Sequence, residues 1–243
     1  MKHLPSNQGT NKLNRFTTLP YLLEMLDRKR LVFSNPKHWE DKNDSEVLEI
    51  YKNKKYAQNA NAKLFTLCFL EDDETIHHWK AYAEGILGCC IEFDKEQMLE
   101  FLSKRRKSGI NFGSVVYKRL KDLGHGTADE YVHMIPFIKR WPYRVEKEFR
   151  IIWDGIEGKD PDPYDIPFKP RDLIRKITLS PEMPKNIFSV VQKNLIKKLR
   201  KLKFKVPRKS DKLVNHSKIF EDRERWIKKF NRFKNGSNCP ATS

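Results

Sequence analysis

The spacing of apolar residues along the chain predicts an irregular alternation of strands and helices. Strands are indicated where β-branched and aromatic residues are contiguous or alternate with polar ones. The predicted strands are residues 31–34, 63–70 (KLFTLCFL), 86–94 (ILGCCIEFD), 114–120 (SVVYKRL), 143–153 (YRVEKEFRIIW) and 172–180 (DLIRKITLS). Helices are indicated by apolar residues three and four apart, with capping Thr at the start and Gly or Pro at the end. The predicted helices begin near residue 18 and then cover residues 46–62, a short piece of 70–85, 95–109, 127–140 and 181–205.

This order of elements predicts an α+β fold, with a mixed or antiparallel central sheet flanked by helices and a basic helical C-terminal part. A loop rich in Gly, Pro and Asp at residues 154–170 marks a change in composition. We therefore expect an α+β core over residues 1–168, a basic strand–helix extension packed on that core over 169–234, and a disordered tail over 235–243.

The positive charge of the chain is concentrated in that C-terminal part. The formal net charge is +17, and residues 169–234 hold 22 Lys or Arg against 6 Asp or Glu, a net charge of +16. Such a block predicts binding to a polyanion, most often nucleic acid. The alternatives are a solubilising face and a general excess of lysine from an AT-rich genome. The candidate phosphate contacts are Lys193, Lys197, Lys198, Arg200, Lys201 and Arg208.

Other features of composition limit the setting. The chain has no apolar run that approaches the roughly 18 residues of a membrane helix, and its first residues lack an apolar signal region, so we expect a cytoplasmic protein without a membrane partner. The four cysteines show no metal-ligand spacing, and three of them are interpreted as small core residues.

The predicted strand 143–153 carries an unusual charged face. Alternation places Arg144, Glu146, Glu148 and Arg150 on one side of the strand. Such a row is either an exposed set of salt bridges or a catalytic carboxylate supported by arginines. Glu146 and Glu148 are therefore the candidate catalytic residues.

Two further clusters indicate a binding site. The loop at residues 33–46 (FSNPKHWEDKNDSE) follows a strand and carries several acidic residues beside Trp39. In residues 70–85, His78, Trp79, Tyr82 and Glu84 are candidates to line a pocket in which an aromatic ring stacks on a base or a nicotinamide. Trp79 and Tyr82 are equally well explained as core residues, and the loop as a solvated acidic segment.

The sequence has no phosphate-binding glycine loop, no zinc-ligand spacing and no serine-nucleophile elbow. A Glu-x-Lys pattern is found in metal nucleases. Glu146 and Lys147, with Asp72, Asp73 or Glu92, would imitate it, although the usual preceding Pro-Asp is absent. If this alternative holds, the cofactor is Mg²⁺. Otherwise the sequence predicts no metal-binding residues.

The segments FSNPKHWED, TLCFL, HHWKAYAEGILGCCIEFD and WPYRVEKEFR together resemble a bacterial and phage domain family of unknown function that is often encoded near defence genes. The resemblance spans residues 13–200 in the same order. Trp39 stands where the family has Phe, and Phe149 stands where it has Trp.

The order of elements in that family also looks like the layout of ADP-ribosyltransferases, which bind NAD in a cleft of a split β-sheet. This resemblance implies that His3 or Arg15 contacts the cofactor, that Trp79 or Tyr82, next to His78, stacks on the nicotinamide, and that Glu148 acts on the ribose or the nucleophile. The sequence thus favours an NAD-dependent ADP-ribosyltransferase-like enzyme in a defence or counter-defence setting, with nucleic acid as the expected partner. A metal-dependent nuclease and a non-catalytic nucleic-acid-binding protein remain the alternatives.

Overall fold

The computed structural model describes residues 10–83, 85–105, 108–122, 132–156, 164–206, 213–220 and 227–230. The strands are β1 (Lys12–Thr18), β2 (Arg30–Val32), β3 (Ala62–Leu70), β4 (Gly88–Asp94), β5 (Ile110–Ser114), β6 (Val116–Lys118), β7 (Ile138–Arg140), β8 (Glu148–Ile156), β9 (Asp165–Pro167), β10 (Ile174–Leu179) and β11 (Val214–His216). The α-helices are α1 (Leu19–Arg28), α2 (Lys42–Lys55), α3 (Ile76–Tyr82), α4 (Lys95–Ser103), α5 (Pro170–Leu173) and α6 (Lys185–Lys201). Short 3₁₀ helices cover Pro36–His38, Leu120–Asp122, Val132–Phe137 and Trp141–Glu146. Within these parts of the chain, no helix is both long and apolar enough to cross a bilayer.

A seven-stranded sheet forms the centre of the molecule, in the order β11-β10-β4-β1-β3-β8-β5. Its neighbours are antiparallel, except that β10 and β11 run parallel. Two small sheets, β2–β9 and β6–β7, lie beside it. The predicted α+β fold with a mixed central sheet and flanking helices is therefore confirmed.

The two faces of the central sheet are covered by different helices. One face packs on α1, α4 and α6, and it contains the larger apolar core, with fully buried residues such as Leu13, Ile91 and Ile151. The other face packs on α2 and α3 through two smaller apolar groups, around Ile152 and around Trp79. We call this second side the cleft face, because the cleft described below opens on it.

The C-terminal strand and helix share the main core. β10 pairs with β4 in the central sheet, and the apolar residues of α6 belong to the same buried cluster as those of α1. The apolar stripe predicted for residues 181–205 is thus the buried face of α6. The division of the chain at residue 168 stays a prediction, and residues 235–243 lie outside the described part of the chain.

The central sheet splits between β1 and β3. β1 pairs with β4 along its whole length, but its register with β3 consists of the pair Asn14 and Leu70. Further along β3, Thr66 instead exchanges two backbone hydrogen bonds with Ser34, at 2.8 and 2.9 Å. Between these two points the edges of β1 and β3 diverge and leave an opening in the sheet.

The sequence pattern does not predict β1, and the reason lies in its centre. KLNRFTT places two polar residues, Asn14 and Arg15, in the middle of a strand that lies within the sheet. Asn14 is buried, and its side-chain amide donates to the Asp72 carbonyl at 2.6 Å. A polar residue with such a partner is satisfied in the interior, but the partner is remote in sequence.

The prediction of one continuous strand over residues 143–153 is wrong for its first part. Trp141–Glu146 is a 3₁₀ helix, and Lys147 then adopts the left-handed conformation (φ 44°) before β8 begins at Glu148. Arg144 is therefore exposed on the helix and does not join the row that contains Glu148 and Arg150.

Other element boundaries also differ from the predictions. The helix predicted over 127–140 is a 3₁₀ helix, Val132–Phe137, followed by β7, and residues 123–131 lie outside the described part of the chain. The helix predicted over 46–62 begins earlier, at Lys42, because the Asp41 side chain accepts the backbone N–H groups of residues 43 and 44. The strand predicted over 114–120 is divided between β5 and β6.

Candidate active site

A cleft of about 800 Å³ lies at the split between β1 and β3 and opens on the cleft face. Its wall is built from β1, β3, the first residue of β8, the loop before α2, α3, and the 3₁₀ helix Trp141–Glu146. A volume of this size is in the range of pockets that hold a small molecule or cofactor. Both candidate glutamates, Glu146 and Glu148, line it.

A buried ion-pair network forms the acidic side of the cleft. The Arg150 guanidinium, which is fully buried, donates from Nε and Nη2 to the two carboxylate oxygens of Glu148, at 2.7 and 2.9 Å. It also donates to both oxygens of Asp44, at 3.3 and 2.7 Å, and to the Pro136 carbonyl at 2.9 Å. The planar guanidinium therefore bridges β8 and α2 through two bidentate contacts.

Lys139 adds a second cation to this network. Its ammonium group lies 2.8 Å from Glu146 Oε2, 3.3 Å from Glu148 Oε2 and 3.6 Å from Asp44 Oδ2. Burial acts to lower the pKa of Lys139, but the three carboxylates outweigh burial and raise it. Three carboxylates and two cations leave the network with one formal negative charge, which favours a positive group in the cleft.

Glu148 is ionised at neutral pH in this environment. Burial alone would raise the pKa of its carboxyl group, but the charges and hydrogen bonds of Arg150, together with Lys139, lower that pKa to about 2. Its backbone N–H donates to the Tyr117 hydroxyl at 2.8 Å, which fixes the start of β8 against β6. Glu148 is thus a preorganised anion at the inner wall of the cleft.

The 3₁₀ helix Trp141–Glu146 places its side chains by its three-residue period. Residues three apart lie above one another on such a helix, so Tyr143 and Glu146 point together into the cleft. Pro142 and Val145 share a second side and line the rim of the cleft. The positive φ of Lys147 then reverses the chain, and Glu146 and Glu148 both reach the Lys139 ammonium group.

Aromatic side chains form the walls of the cleft around these charges. They are Phe16, Trp39, Tyr82 and Tyr143. Burial and the neighbouring Glu146 carboxylate raise the pKa of Tyr82, so its phenol remains protonated. The Trp39 ring lies with its centroid 5.6 Å from the Arg150 guanidinium carbon, and its indole N–H donates to Ser34 Oγ at 3.2 Å. Tyr82 is exposed and the other three rings are partly exposed, and such rings suit a planar ligand.

Arg15 lies in the split of the sheet. Its guanidinium donates to the Cys68 carbonyl at 3.3 Å, in the place where β1 would otherwise pair with β3. Burial lowers the pKa of Arg15, and in the described part of the chain it makes no salt bridge with a carboxylate. A half-buried guanidinium that lines a cleft without an acidic partner is suited to bind an anion.

The predicted binding residues of α3 are only partly brought to the cleft. Tyr82 lines it, but Trp79 is buried, stacks edge-on against Phe16 at 5.1 Å and donates from Nε1 to Glu74 at 2.8 Å. His78 is also buried, and burial together with His77 lowers its pKa. The side of α3 that faces the cleft instead carries His77, Lys80, Ala81 and Tyr82. His3 and Glu84 lie outside the described residues.

The structure places the candidate nucleic-acid residues of α6 away from the cleft. This helix packs on the face of the sheet opposite the cleft face. Lys193, Lys197, Arg200 and Lys201 are exposed there, whereas Lys198 forms a salt bridge with Asp27 of α1. Arg208 lies outside the described part of the chain. Their role in binding nucleic acid stays a prediction.

The ligands of the nuclease alternative do not converge. Asp72 pairs with Lys147 at 2.7 Å, and Asp73 pairs with Lys12. In the described part of the chain, no three His, Cys, Asp or Glu side chains are grouped so as to hold a metal ion. Asp44, Glu146 and Glu148 do lie close together, but they are already paired with Lys139 and Arg150. A metal ion would have to displace these two cations.

Sequence reasoning missed Lys139 and Tyr143 as site residues and gave Asp44 no specific role. The signal for Asp44 is its position three residues after Asp41, because Asp41 starts α2 and so directs Asp44 toward the sheet. The sequence pattern assigned Lys139 to a helix and Tyr143 to the start of a strand, whereas Lys139 lies in β7, paired with β6, and Tyr143 lies in the 3₁₀ helix Trp141–Glu146. No local signal in the sequence identifies them.

Comparison with known proteins gives a distant structural similarity. No protein-family model matches the chain, and no curated protein matches it in sequence. Among solved structures, Thermus sp. 2.9 DarT in complex with ADP-ribosylated ssDNA is similar over 87% of this chain and 100% of that chain. The sequence identity is 11% and the TM-score is 0.38. A similarity this low does not decide a function.

Proposed function

We propose that the cleft binds NAD and that the chain is an ADP-ribosyltransferase-like enzyme with Glu148 as its catalytic carboxylate. The observation that carries this proposal is the split between β1 and β3, with Arg15 on one side and Glu148, on the strand next to β3, on the other. The sequence resemblance implies the same arrangement, namely a first-strand basic residue and a late-strand glutamate around a split sheet.

The charges in the cleft fit the two ends of NAD. Arg15, without a carboxylate partner among the described residues, is available to bind the diphosphate, and Lys80 adds a second positive charge to the wall. The network of Asp44, Glu146 and Glu148 with its two cations retains a net negative charge, which favours the cationic nicotinamide ring. Tyr82 and Tyr143 are the rings placed to stack on a planar group.

Glu148 would stabilise positive charge as the bond to nicotinamide breaks. When bound, NAD supplies the ADP-ribosyl group, with nicotinamide as the leaving group. A carboxylate held ionised and oriented in a partly dry site stabilises developing positive charge more strongly than water does. Arg150 and Lys139 orient Glu148, so they are positioning residues in this proposal.

Glu146 is the second carboxylate, and its neighbour Val145 is exposed at the cleft. We propose that Glu146 accepts the proton that an acceptor loses as the acceptor attacks the ribose. Tyr82 and Lys139 contact the Glu146 carboxylate, and Val145 beside Glu146 lines the cleft. A variant without this carboxylate is expected to lose transfer to an acceptor more than it loses hydrolysis of NAD. The defence setting remains a prediction of the sequence resemblance.

Nicotinamide release from NAD tests the proposal. The protein is incubated with NAD alone and with single-stranded DNA, RNA or cell lysate, and the variant Glu148→Gln is compared with the wild type. Loss of a preorganised charge of this kind reduces turnover by about 10²–10³-fold. Arg15→Gln is expected to raise the KM for NAD more than it lowers kcat.

Asp154→Asn is the matched control for Glu148→Gln. Asp154 is another buried carboxylate of β8, six residues further on the same face, and it does not line the cleft. It should retain turnover despite reduced stability. Equal turnover by Glu148→Gln and the wild type would overturn the site assignment. Cleavage of nucleic acid that depends on Mg²⁺, without nicotinamide release, would favour the nuclease alternative instead.

A further inference from the structure

An aromatic and basic surface adjoins the rim of the cleft, on the 3₁₀ helix that also supplies Glu146. By the three-residue period of this helix, Trp141 and Arg144 share its third side, which faces solvent. The Arg144 guanidinium carbon lies 5.0 Å from the centroid of the Trp141 ring. The Arg119 guanidinium carbon, which comes from the segment after β6, lies 4.9 Å from the same centroid.

These side chains are exposed and are not neutralised by carboxylates. The Trp141 indole is 37% exposed, and both arginines are exposed. Their contacts with side chains are to the Trp141 ring, while Arg144 Nη1 also donates to the Trp141 carbonyl at 3.5 Å. The nearby carboxylate of Asp122 accepts the backbone N–H of Arg119 at 3.2 Å, and no salt bridge to either arginine is found in the described part of the chain.

The same surface extends along β7 toward the cleft. Parallel pairing of β6 and β7 sets Lys118 beside Arg140, and the Arg140 guanidinium lies over the Tyr143 ring at 5.2 Å. Tyr143 itself lines the cleft. Arg140, next to Trp141 in the chain, therefore connects this surface to a ring that lines the candidate active site.

We propose that Arg119, Trp141 and Arg144 form the binding surface for a single-stranded nucleic acid whose target nucleotide enters the cleft. This inference deepens the proposed function, since it names the class of acceptor for the same site. A guanidinium held against an indole by a cation–π contact still presents N–H groups to phosphate oxygens, and the contact restricts its motion beforehand. The exposed part of the indole offers a surface on which a base can stack.

Single strands fit this surface better than duplexes do. Stacking of bases on protein aromatic rings requires bases that are free of their own helix. The location also distinguishes this surface from α6, which carries more charge but lies on the opposite face of the sheet. A strand bound along α6 would not be directed into the cleft.

Fluorescence anisotropy of labelled oligonucleotides tests the proposal without NAD. Single-stranded DNA, single-stranded RNA and duplex DNA of one sequence are titrated with wild-type protein over a series of salt concentrations. The variants are Trp141→Ala and the pair Arg119→Gln with Arg144→Gln. The matched control is Lys197→Gln with Arg200→Gln, which removes the same charge from the exposed side of α6.

We expect each surface variant to weaken single-strand binding by about tenfold or more. The arginine pair should also reduce the slope of log K against log salt by about two, one for each lost phosphate contact. The α6 control should keep the wild-type affinity within about twofold, and the Trp141→Phe variant should retain most of the binding. The DNA and RNA arms show which strand is preferred.

The inference would be overturned if the α6 control lost as much affinity for single strands as the surface variants do. It would also be overturned if the wild type bound duplex more tightly than single strands, or bound neither. Nicotinamide release without an acceptor is measured in parallel, and the surface variants should match the wild type there. If the NAD proposal fails, no nicotinamide is released, while the surface variants still lose affinity for single strands and the α6 control does not. If the present inference fails, nicotinamide is released, but the surface variants bind single strands no more weakly than the α6 control does.

Discussion

Strand β8 carries two buried carboxylates on one face, and their surroundings differ. Glu148 is held by Arg150 and Lys139 and lines the cleft. Asp154 accepts hydrogen bonds from Lys55 at 2.6 Å and Tyr56 at 2.8 Å, and from Tyr51, and it lines no part of the cleft. Asp154 contacts α2 directly, whereas Glu148 is linked to α2 through Arg150 and Asp44.

The two carboxylates differ in the groups that neutralise them. Around Asp154, one cation (Lys55) and two phenols share the charge, and burial together with Asp154 raises the pKa of Tyr51 and Tyr56, so these hydroxyls stay donors. Around Glu148, two permanent cations maintain the ionised form and leave a carboxylate edge at the cleft. We therefore expect the Asp154 contacts to contribute stability and the Glu148 network to contribute both stability and reactivity.

The largest effect on stability is expected from Arg150→Met. This change leaves Asp44 and Glu148 buried without their main partner, and unpaired buried charges of this kind cost about 3–5 kcal/mol. Urea unfolding followed by circular dichroism measures the loss. Adding Asp44→Asn and Glu148→Gln to the same variant should restore much of it, because the uncompensated charges are then gone. Absence of any recovery would contradict the ion-pair account.

The pH dependence of stability separates Glu148 from the remaining carboxylates. Its pKa of about 2 in the folded protein is below the ordinary value of 4.5. The ionised Glu148 carboxylate therefore contributes on the order of 3 kcal/mol to the unfolding free energy. This contribution is fully present above pH 4.5 and is lost as the pH falls toward 2. The difference in unfolding free energy between wild type and Glu148→Gln should shrink over that interval. A difference that is constant with pH would refute the assignment of this depressed pKa.

Asp154→Asn should reduce the unfolding free energy by about 1–3 kcal/mol, because a charged acceptor of three donors is replaced by an amide. Nicotinamide release per folded molecule should stay at the wild-type level. A loss of turnover comparable to that of Glu148→Gln would show that the two carboxylates are not functionally distinct.

The smallest effect is expected at Lys147, which connects the two glutamates of the cleft. Lys147→Gly should change the unfolding free energy by no more than about 0.5 kcal/mol, since glycine accepts a positive φ and the pair with Asp72 is largely exposed. Lys147→Val should cost about 1–2 kcal/mol, because a β-branched side chain opposes that conformation. Equal stability of the two variants would argue against the left-handed turn at this position.

Prediction from the sequence succeeded where apolar residues recur at the regular spacing of a strand or a helix. The apolar runs at β3 and β4 and the apolar stripe of α6 mark buried elements, because contact with a core selects the same residue type at each turn. Alternation along β8 correctly placed Glu148 and Arg150 on one face. It did not place Arg144 there, since the chain is helical up to Glu146.

The sequence by itself determined the α+β composition, the buried strands, the asymmetric charge and the presence of a glutamate–arginine pair in a late strand. Only the tertiary structure decided that β1 and β3 diverge, that Lys139 and Asp44 complete the network, and that Tyr82 rather than Trp79 faces the cleft. Periodicity reports which side of an element is buried. It does not report which remote element covers that side, and contacts between residues far apart in sequence define this cleft.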